Sequence, residues 1–399
     1  MIEIVGALRH YAWGSRVLIP ELVGMPPDDR RVAEAWLGAH PTGPSAIVAP
    51  DGLPGDLCDL IASSPVEYLG EDVVARFGSH LPYLLKVIAA EKPLSLQVHP
   101  HIDRAREGYE EEERAGVPID APHRNYKDPN HKPELVLALT KFEALCGFRA
   151  PRRAAELFSG LQAPLAKELH GVLTAQPTVQ GIRAAFTQLL EPSTRPSAAE
   201  VEEVTEACLA RLAVGSTSPR ADRTVGQLAA AYPGDPGVVT SLLLNPVTLQ
   251  PGDAMFVPAG GVHAYLHGLG IEVMASSDNV LRAGLTPKHV DVRELLRNVD
   301  YVAAPPIRIA PETFHGATKV FYAPVDDFEL SVTTICDDVA HPMPGRGPRI
   351  LLCLEGRVTV TSSGAGSLTL ERGHAAFAPA SDGRLTVTGA GKLVQADVP

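Results

Sequence analysis

The segment LSLQVHPH, Leu94 to His101, puts Leu94, Leu96 and Val98 on one face of a strand and Ser95, Gln97 and His99 on the other. An amide oxygen and an imidazole two residues apart on one strand face are metal-ligand types aimed the same way. In HKPELVLAL, Glu134 opens an apolar run, where a lone carboxylate is expensive to bury unless solvent or a cation accompanies it. In QPGDAMFVPAGGVHAYL, the pattern G-D-x-x-x-x-P-x-G-x-x-H from Gly252 to His263 reads as a tight turn and a proline-ended loop. Such a loop aims a histidine into a barrel mouth, with Tyr265 on the same inward face. Gln97, His99, Glu134 and His263 together make an oxygen and nitrogen shell suited to zinc, with manganese, cobalt and iron admitted by the same ligand types. A Gln-x-His pair alone equally describes a solvent-facing strand edge; its convergence with the second motif favours the metal. His101 and His267 read as bystanders, the first displaced from the strand register by Pro100, the second in the turn-like HGLG.

Other charged groups lie where burial or dipoles make them conspicuous. Lys86 interrupts PYLLKVIAA and Glu272 interrupts GIEVMAS, both apolar runs in which an unpartnered charge shifts its pKa or destabilises the fold. In LRAGLTPKHVDVRELL, Thr286 as N-cap and Pro287 as first helical residue predict a helix start. Lys288 then falls in the first turn, where the helix dipole disfavours it by about 0.3–1 kcal/mol. A bound phosphate reverses that sign; a solvated surface lysine is the plainer reading. Ser95 shares the face of Gln97, and with Lys86 it points towards the same cavity. Candidates for a general base are Lys132, Glu272 and Asp278, with His131 as ligand, proton carrier or neither.

The elements that must position these groups follow from texture. Residues 1–150 are broken by Pro and Gly into short β-like runs such as PYLLKVIAA, LSLQVH and ELVLALT. Residues 151–246 look helical: Ser197 and Glu200 form a capping box, followed by Val201, Val204, Cys208 and Leu212 at helical spacing. EGYEEEERAG reads as a solvated helical face. β texture returns over 247–320 and again over 321–399, which gives a β domain split by a helical insertion and followed by a second, smaller β domain. A shift of 121 residues lays TLQPGDAMFVPA on TLERGHAAFAPA, so the two β domains are related in fold. The register sets Arg384 opposite His263, so only the first copy can carry a histidine-dependent site.

Composition narrows the partners. A net charge of −12 argues against nucleic acid or an anionic membrane as partner. The five scattered cysteines form no CxxC pair and fit a reducing, cytoplasmic setting, and no apolar run reaches the roughly 20 residues of a membrane span.

YAWGS, EKPLSLQVHP, HKPELVLAL, QPGDAMFVPAGGVHAYL and SSDNVLRAGLTPKHVD, in order from Tyr11 to Asp291, together resemble type I mannose-6-phosphate isomerases of the cupin superfamily. The resemblance implies a cupin-type double-stranded β-helix, a helical domain and a second cupin-like domain. It implies one zinc per chain on Gln97, His99, Glu134 and His263, and a sugar phosphate as substrate. It further implies that Ser95, Lys86, Lys288 and Tyr265 hold substrate and that Arg282 is a functional arginine able to stabilise an enediolate. The expected activity is the interconversion of mannose 6-phosphate and fructose 6-phosphate through an enediol, which needs a Lewis acid, a base and a phosphate anchor. A metal-dependent cupin oxygenase and a non-catalytic sugar-binding cupin are the other readings of the same residues.

Overall fold

Apolar runs become strands because their continuous burial leaves backbone polar groups only sheet partners. PYLLKVIAA is the fully buried strand Tyr83–Ala90, ELVLAL supplies Glu134–Ala138, and HAYLHGLGIEVMA is the long strand His263–Ala275. The computed structural model describes residues 1–26, 29–48, 55–364 and 366–399. In it, His263–Ala275 is the hub. Its C-terminal half pairs antiparallel with Tyr83–Ala90 and with Glu134–Ala138, and its N-terminal half with Phe142–Phe148 and the short strand Gln97–Val98. The two halves are joined by a bulge between Tyr265 and His267 and by Gly268 at φ 129°. A Cβ at Gly268 would meet the Lys141 carbonyl oxygen at 2.8 Å, so only glycine permits the bend. These strands enclose an apolar plug that includes Ile88, Val136, Phe142, Val247, Met255 and Val257.

The helices Pro151–Phe158, Pro164–Ala175, Val179–Leu190, Ala198–Gly215 and Pro219–Ala231 form a layer on the outside of this sheet. The Ser197–Glu200 capping box is present. The buried faces of the layer share one core with Leu96, Val98, Val262, Ala264 and Leu281. That contact explains why Leu96 and Val98 of LSLQVHPH are apolar: the helices cover them, whereas Leu94 packs into the plug.

A second sheet contains Glu329–Pro342, Arg349–Ser362, Gly366–Glu371, Ala375–Ala378 and Leu385–Asp397. The repeat is visible in it. Leu244–Leu249, a turn at Gly252 (φ 92°) and Ala254–Val257 correspond to Gly366–Glu371, a turn at Gly373 (φ 86°) and Ala375–Ala378. The chain's first strand, Ile2–Val5, pairs with Ala375–Ala378 and so belongs to this sheet. Between the two sheets lies a common core, with Leu85, Val87, Leu135 and Ile271 from one side and Leu330, Ile350, Phe377 and Val394 from the other. The Tyr83 hydroxyl lies 2.9 Å from the carbonyl oxygens of Pro348 and Ala396 and accepts from the Ile350 N–H at 3.1 Å.

Local signals misled in two places. Among the described residues the first 150 also hold the helices Leu18–Leu22, Leu57–Ser63, Pro65–Leu69 and Glu71–Phe77, beside Ile102–Arg114, which contains the acidic run read as helical. The helix predicted from Thr286 begins instead at Val292. Asp291 is its N-cap, accepting from the Glu294 N–H at 3.0 Å, while the Thr286 hydroxyl accepts from the Lys288 N–H at 3.1 Å in a local turn. Leu285 at φ 55° and the bond from the Thr286 N–H to Asp235 at 3.4 Å hold this turn out of helical geometry. Among the described residues no helix is long and apolar enough to cross a membrane.

One buried carboxyl of the second sheet yields a pH prediction. Asp397 is fully buried, and burial pushes its pKa up to about 7 although Arg349 opposes the shift. An acid whose folded pKa exceeds its unfolded value binds protons more tightly when folded, so its contribution to stability falls as pH rises between roughly 4 and 7. Asp397→Asn should therefore flatten the stability profile by up to about 4 kcal/mol across that window. Urea midpoints at pH 5 and pH 8 check this; an unchanged difference between the two pH values defeats it.

Candidate metal centre

At one end of the apolar plug, charged side chains replace aliphatic ones. His99, Glu134 and His263 are all buried and bring ligand atoms within 4.8 Å of one another. Glu134 opens its strand opposite Val257 on one side and Met274 on the other. Its Oε1 lies 3.1 Å from His99 Nε2 and its Oε2 3.4 Å from His263 Nε2. The other ring nitrogens are held by backbone: His99 Nδ1 lies 2.8 Å from the Asn279 carbonyl oxygen and His263 Nδ1 3.0 Å from that of Gly261. A carbonyl only accepts, so in the neutral rings both Nδ1 atoms carry the hydrogen and both Nε2 lone pairs face the carboxylate. His99 Nε2 is buried without a hydrogen-bond partner. Lone pairs converging on an ionised carboxylate call for a cation, and this donor set with its backbone supports fits a divalent transition-type ion.

Electrostatics links the three groups. Burial and then Lys132 depress the His99 pKa to about 4. Burial also works against protonation of His263, but Glu134 outweighs it and holds that pKa up. Burial alone would raise Glu134; His99, His263 and Lys132 instead keep its carboxyl well below the usual range.

The remaining residues singled out from sequence surround this cluster unequally. Gln97 lies opposite His263 in one ladder and opposite Arg282 in the other. The Tyr265 hydroxyl donates to Glu134 Oε2 at 3.2 Å, and Lys132 Nζ is 3.7 Å from Glu134 Oε1. Ser95 is threaded between the two walls, since the Leu94 N–H bonds the Tyr265 carbonyl oxygen at 2.8 Å and the Leu96 N–H that of Gly284 at 3.0 Å. Lys86 and Glu272 are opposite in register and joined at 3.2 Å. Lys288 is exposed, and its Nζ is 5.9 Å from the Tyr11 ring centroid. Burial, Arg282 and Lys127 each push its pKa down, so three cations lie near one another without the helix N-terminus predicted there.

His131 is the residue the site does not gather. Its Nε2 sits 3.1 Å from Asp327 Oδ2 and faces a separate cavity lined by Arg76, His80, Arg106 and Asp326. Lys132, next in the chain, turns to Glu134, so His131 is carried to the opposite side.

Sequence reading also missed groups. Glu34 is 7% exposed and lies 4.0 Å from Lys86; its Oε2 accepts from Trp36 Nε1 at 2.7 Å. The alternation in EAWL, with Glu and Trp on one face, was the available signal. His40, in GAHPTGPS, lies 3.6 Å from Asp278; a lone histidine in a loop carried none.

Residues 1–151 match the family model described as phosphomannose isomerase type I, catalytic domain. The chain is 40% identical over 400 residues to the mannose-6-phosphate isomerase of Escherichia coli (strain K12), covering 99% of each. It superposes with a TM-score of 0.88 on the apo form of mannose 6-phosphate isomerase from Salmonella typhimurium, at 37% identity and covering 99% of this chain and 98% of that one. A mannose 6-phosphate isomerase bound with zinc and yttrium gives the same TM-score of 0.88, identity of 37% and coverage of 99% and 98%.

Proposed function

Because the chain belongs to the type I mannose-6-phosphate isomerases, we propose that His99, Glu134, His263 and Gln97 hold one zinc ion and that the surrounding pocket binds the sugar phosphate. The chain is an aldose–ketose isomerase that interconverts mannose 6-phosphate and fructose 6-phosphate. Membership sets aside the oxygenase and the non-catalytic readings. The observation that carries the metal assignment is the pair of backbone-tethered imidazoles whose free Nε2 atoms face one buried carboxylate.

Held there, zinc supplies a Lewis acid for the carbonyl and hydroxyl oxygens of the sugar. The chain's own residues do the rest. The cations Lys288 and Lys127, which lie near each other, form the anchor for the phosphate. Ser95, held between the Tyr265 and Gly284 carbonyl bonds of its two neighbours, orients the sugar. Arg282, in register with Gln97, stabilises negative charge developing on the enediolate. Lys132 and Glu272 flank Glu134 and are the groups able to move a proton between C2 and C1; Lys86 holds Glu272 in place at 3.2 Å. Tyr265 fixes Glu134 from the plug side.

The relation between the two β units, the helical insertion over 151–246 and the Gly-turn corners support a cupin-type barrel over 1–150 and 247–320, apart from the strand Ile2–Val5 that pairs in the second sheet, and a second, metal-free one over 321–399. The five cysteines, all free, support a cytoplasmic setting.

Metal analysis combined with an isomerase assay tests the reading. Chelation should remove about one ion per chain and lower turnover by roughly 10³-fold or more, and added zinc should restore both. Lys288→Ala should keep its metal and raise KM by up to about fivefold, the loss of one exposed charge contact. Full turnover by the metal-stripped protein would overturn the assignment.

A further inference from the structure

The repeat that relates the two β units can be followed to single residues. A shift of 121 residues lays the bend of the hub strand, Gly268 at φ 129°, on Gly389 at φ 110°. A Cβ at Gly268 would meet the Lys141 carbonyl oxygen at 2.8 Å and one at Gly389 that of Arg357 at 2.7 Å, so both strands need glycine for the same reason. The places of the metal ligands can therefore be located in the second unit. The same shift carries His263 to Arg384, directly before the strand Leu385–Asp397. Glu134 pairs with Val257, and Arg349 pairs with Ala378, 121 residues after Val257. Gln97 pairs with His263; in the second unit Pro342 pairs with Thr386, and the Met343 N–H bonds the Leu385 carbonyl oxygen at 3.0 Å. Continuing that ladder sets Pro344 against Arg384, in the place of Gln97, and Arg346 in the place of His99. Guanidinium groups thus stand where the first unit has two imidazoles and a carboxylate.

Arg349 is fully buried, and its Nη2 donates to the Gly383 carbonyl oxygen at 2.6 Å and its Nη1 to that of Gly345 at 3.3 Å. Gly383 and Gly345 immediately precede Arg384 and Arg346, so the buried guanidinium ties together the two loops that carry the outer ones. Arg346 and Arg384 are exposed, and neither side chain has a hydrogen-bond or ion-pair partner among the described residues. Both line one cavity of about 1140 Å³, which Tyr322, Glu329 and, from the helix Glu71–Phe77, Asp72 line as well. Unpaired guanidinium groups gathered at one cavity call for an anion, and their planar donor forks match the oxygens of a phosphate. Acidic neighbours restrict the rest of the ligand. Asp72 is taken by Arg76 at 3.1 Å, whereas Glu329 is buried without a partner among the described residues, and burial raises its pKa. A carboxyl there bonds hydroxyl groups and opposes further negative charge, and exposed Tyr322 offers an apolar ring with a polar tip. We propose that the mouth of the second β unit binds a phosphate monoester of a sugar or polyol, with Arg346 and Arg384 on the phosphate and Glu329 on hydroxyl groups. The strand framework that gathers cation ligands in the first unit gathers anion ligands in the second. The site lies in the sheet without the metal ligands and does not rest on the isomerase reading.

Isothermal titration of the zinc-loaded full chain with α-D-glucose 1-phosphate, whose blocked anomeric carbon prevents isomerisation, reads binding without turnover. Lys288→Ala, in which the phosphate anchor of the catalytic pocket is weakened, should still bind about one equivalent. Adding Arg346→Ala and Arg384→Ala to it should weaken that binding by about 30-fold or more. The same two substitutions in the parent should leave kcat/KM for mannose 6-phosphate within about twofold. Arg346→Lys with Arg384→Lys, which keeps both charges and loses both forks, should bind between the two. Inorganic phosphate should show the same dependence on the arginines and bind at least about threefold more weakly than the sugar phosphate, and glucose without its phosphate should not bind. The proposal is overturned if removing both arginines changes affinity by less than about threefold, or if Lys288→Ala shows no saturable binding. It is overturned as well if glucose binds as tightly as its 1-phosphate, or if inorganic phosphate does.

Discussion

His263→Ala is expected to leave the protein with less than about 0.1 metal ion per chain and with kcat/KM lowered by about 10³-fold or more. The argument is one of geometry. His263 is 3% exposed and begins the hub strand, between Gln97 on one side and Cys146 on the other. The Gly261 carbonyl fixes its ring with Nε2 towards Glu134. The substitution leaves His99, Gln97 and Glu134, a set with one imidazole, and it removes one of the two histidines that hold Glu134 ionised. Loss of a Lewis acid worth several kcal/mol, at a factor of ten per 1.36 kcal/mol, sets the scale of the activity change. Elemental analysis and a coupled isomerase assay measure the two quantities on one sample. A variant with full metal content would show that His263 is not a ligand, whatever its activity.

Legibility from sequence followed the range of the interaction that decides each feature. The alternation at Leu96 and Val98 was readable because a helical layer covers both, at 0% exposure; only Gln97–Val98 is strand, and Leu94 packs in the plug instead. The capping box at Ser197 was readable because all its partners lie within three residues. The turn glycines Gly252 and Gly373 were readable because their positive φ is a local demand. The helix start at Thr286 was misread although it too is local, because Asp235, 51 residues away, captures the Thr286 N–H, and Asp291 offers a competing cap. The side of the chain on which His131 falls depends on Asp327, and the meeting of His40 with Asp278 spans 238 residues of sequence. No pattern within a window reports contacts of that kind. The pairing of Ile2–Val5 with Ala375–Ala378 is the same case at the scale of strands.

Lys86→Met is expected to destabilise the zinc-loaded protein by about 3–5 kcal/mol while also abolishing most turnover. Lys86 is 4% exposed, with Nζ 3.2 Å from Glu272, 4.0 Å from Glu34 and 5.1 Å from the Trp36 ring centroid. Burial by itself would depress its pKa, but Glu34, Glu272 and Glu134 together hold it above the ordinary lysine value. Methionine keeps most of the stem's volume, so the substitution removes the charge rather than opening a large cavity. What remains is Glu34 and Glu272, at 7% and 2% exposure, close to Glu134, with the Lys132 ammonium 3.7 Å from Glu134 in place of the one at Lys86. An uncompensated buried charge is the costly product of breaking such a pair, whereas removal of both partners is often close to neutral. The double variant Lys86→Met with Glu272→Gln should therefore be more stable than Lys86→Met alone by at least about 1 kcal/mol, a coupling that a double-mutant cycle of urea midpoints measures. Equal midpoints for the single and double variants would mean that solvent or relaxation already screens these carboxylates. The pocket would then be wetter than its burial implies, and Lys86 would owe its place to substrate binding rather than to holding Glu272.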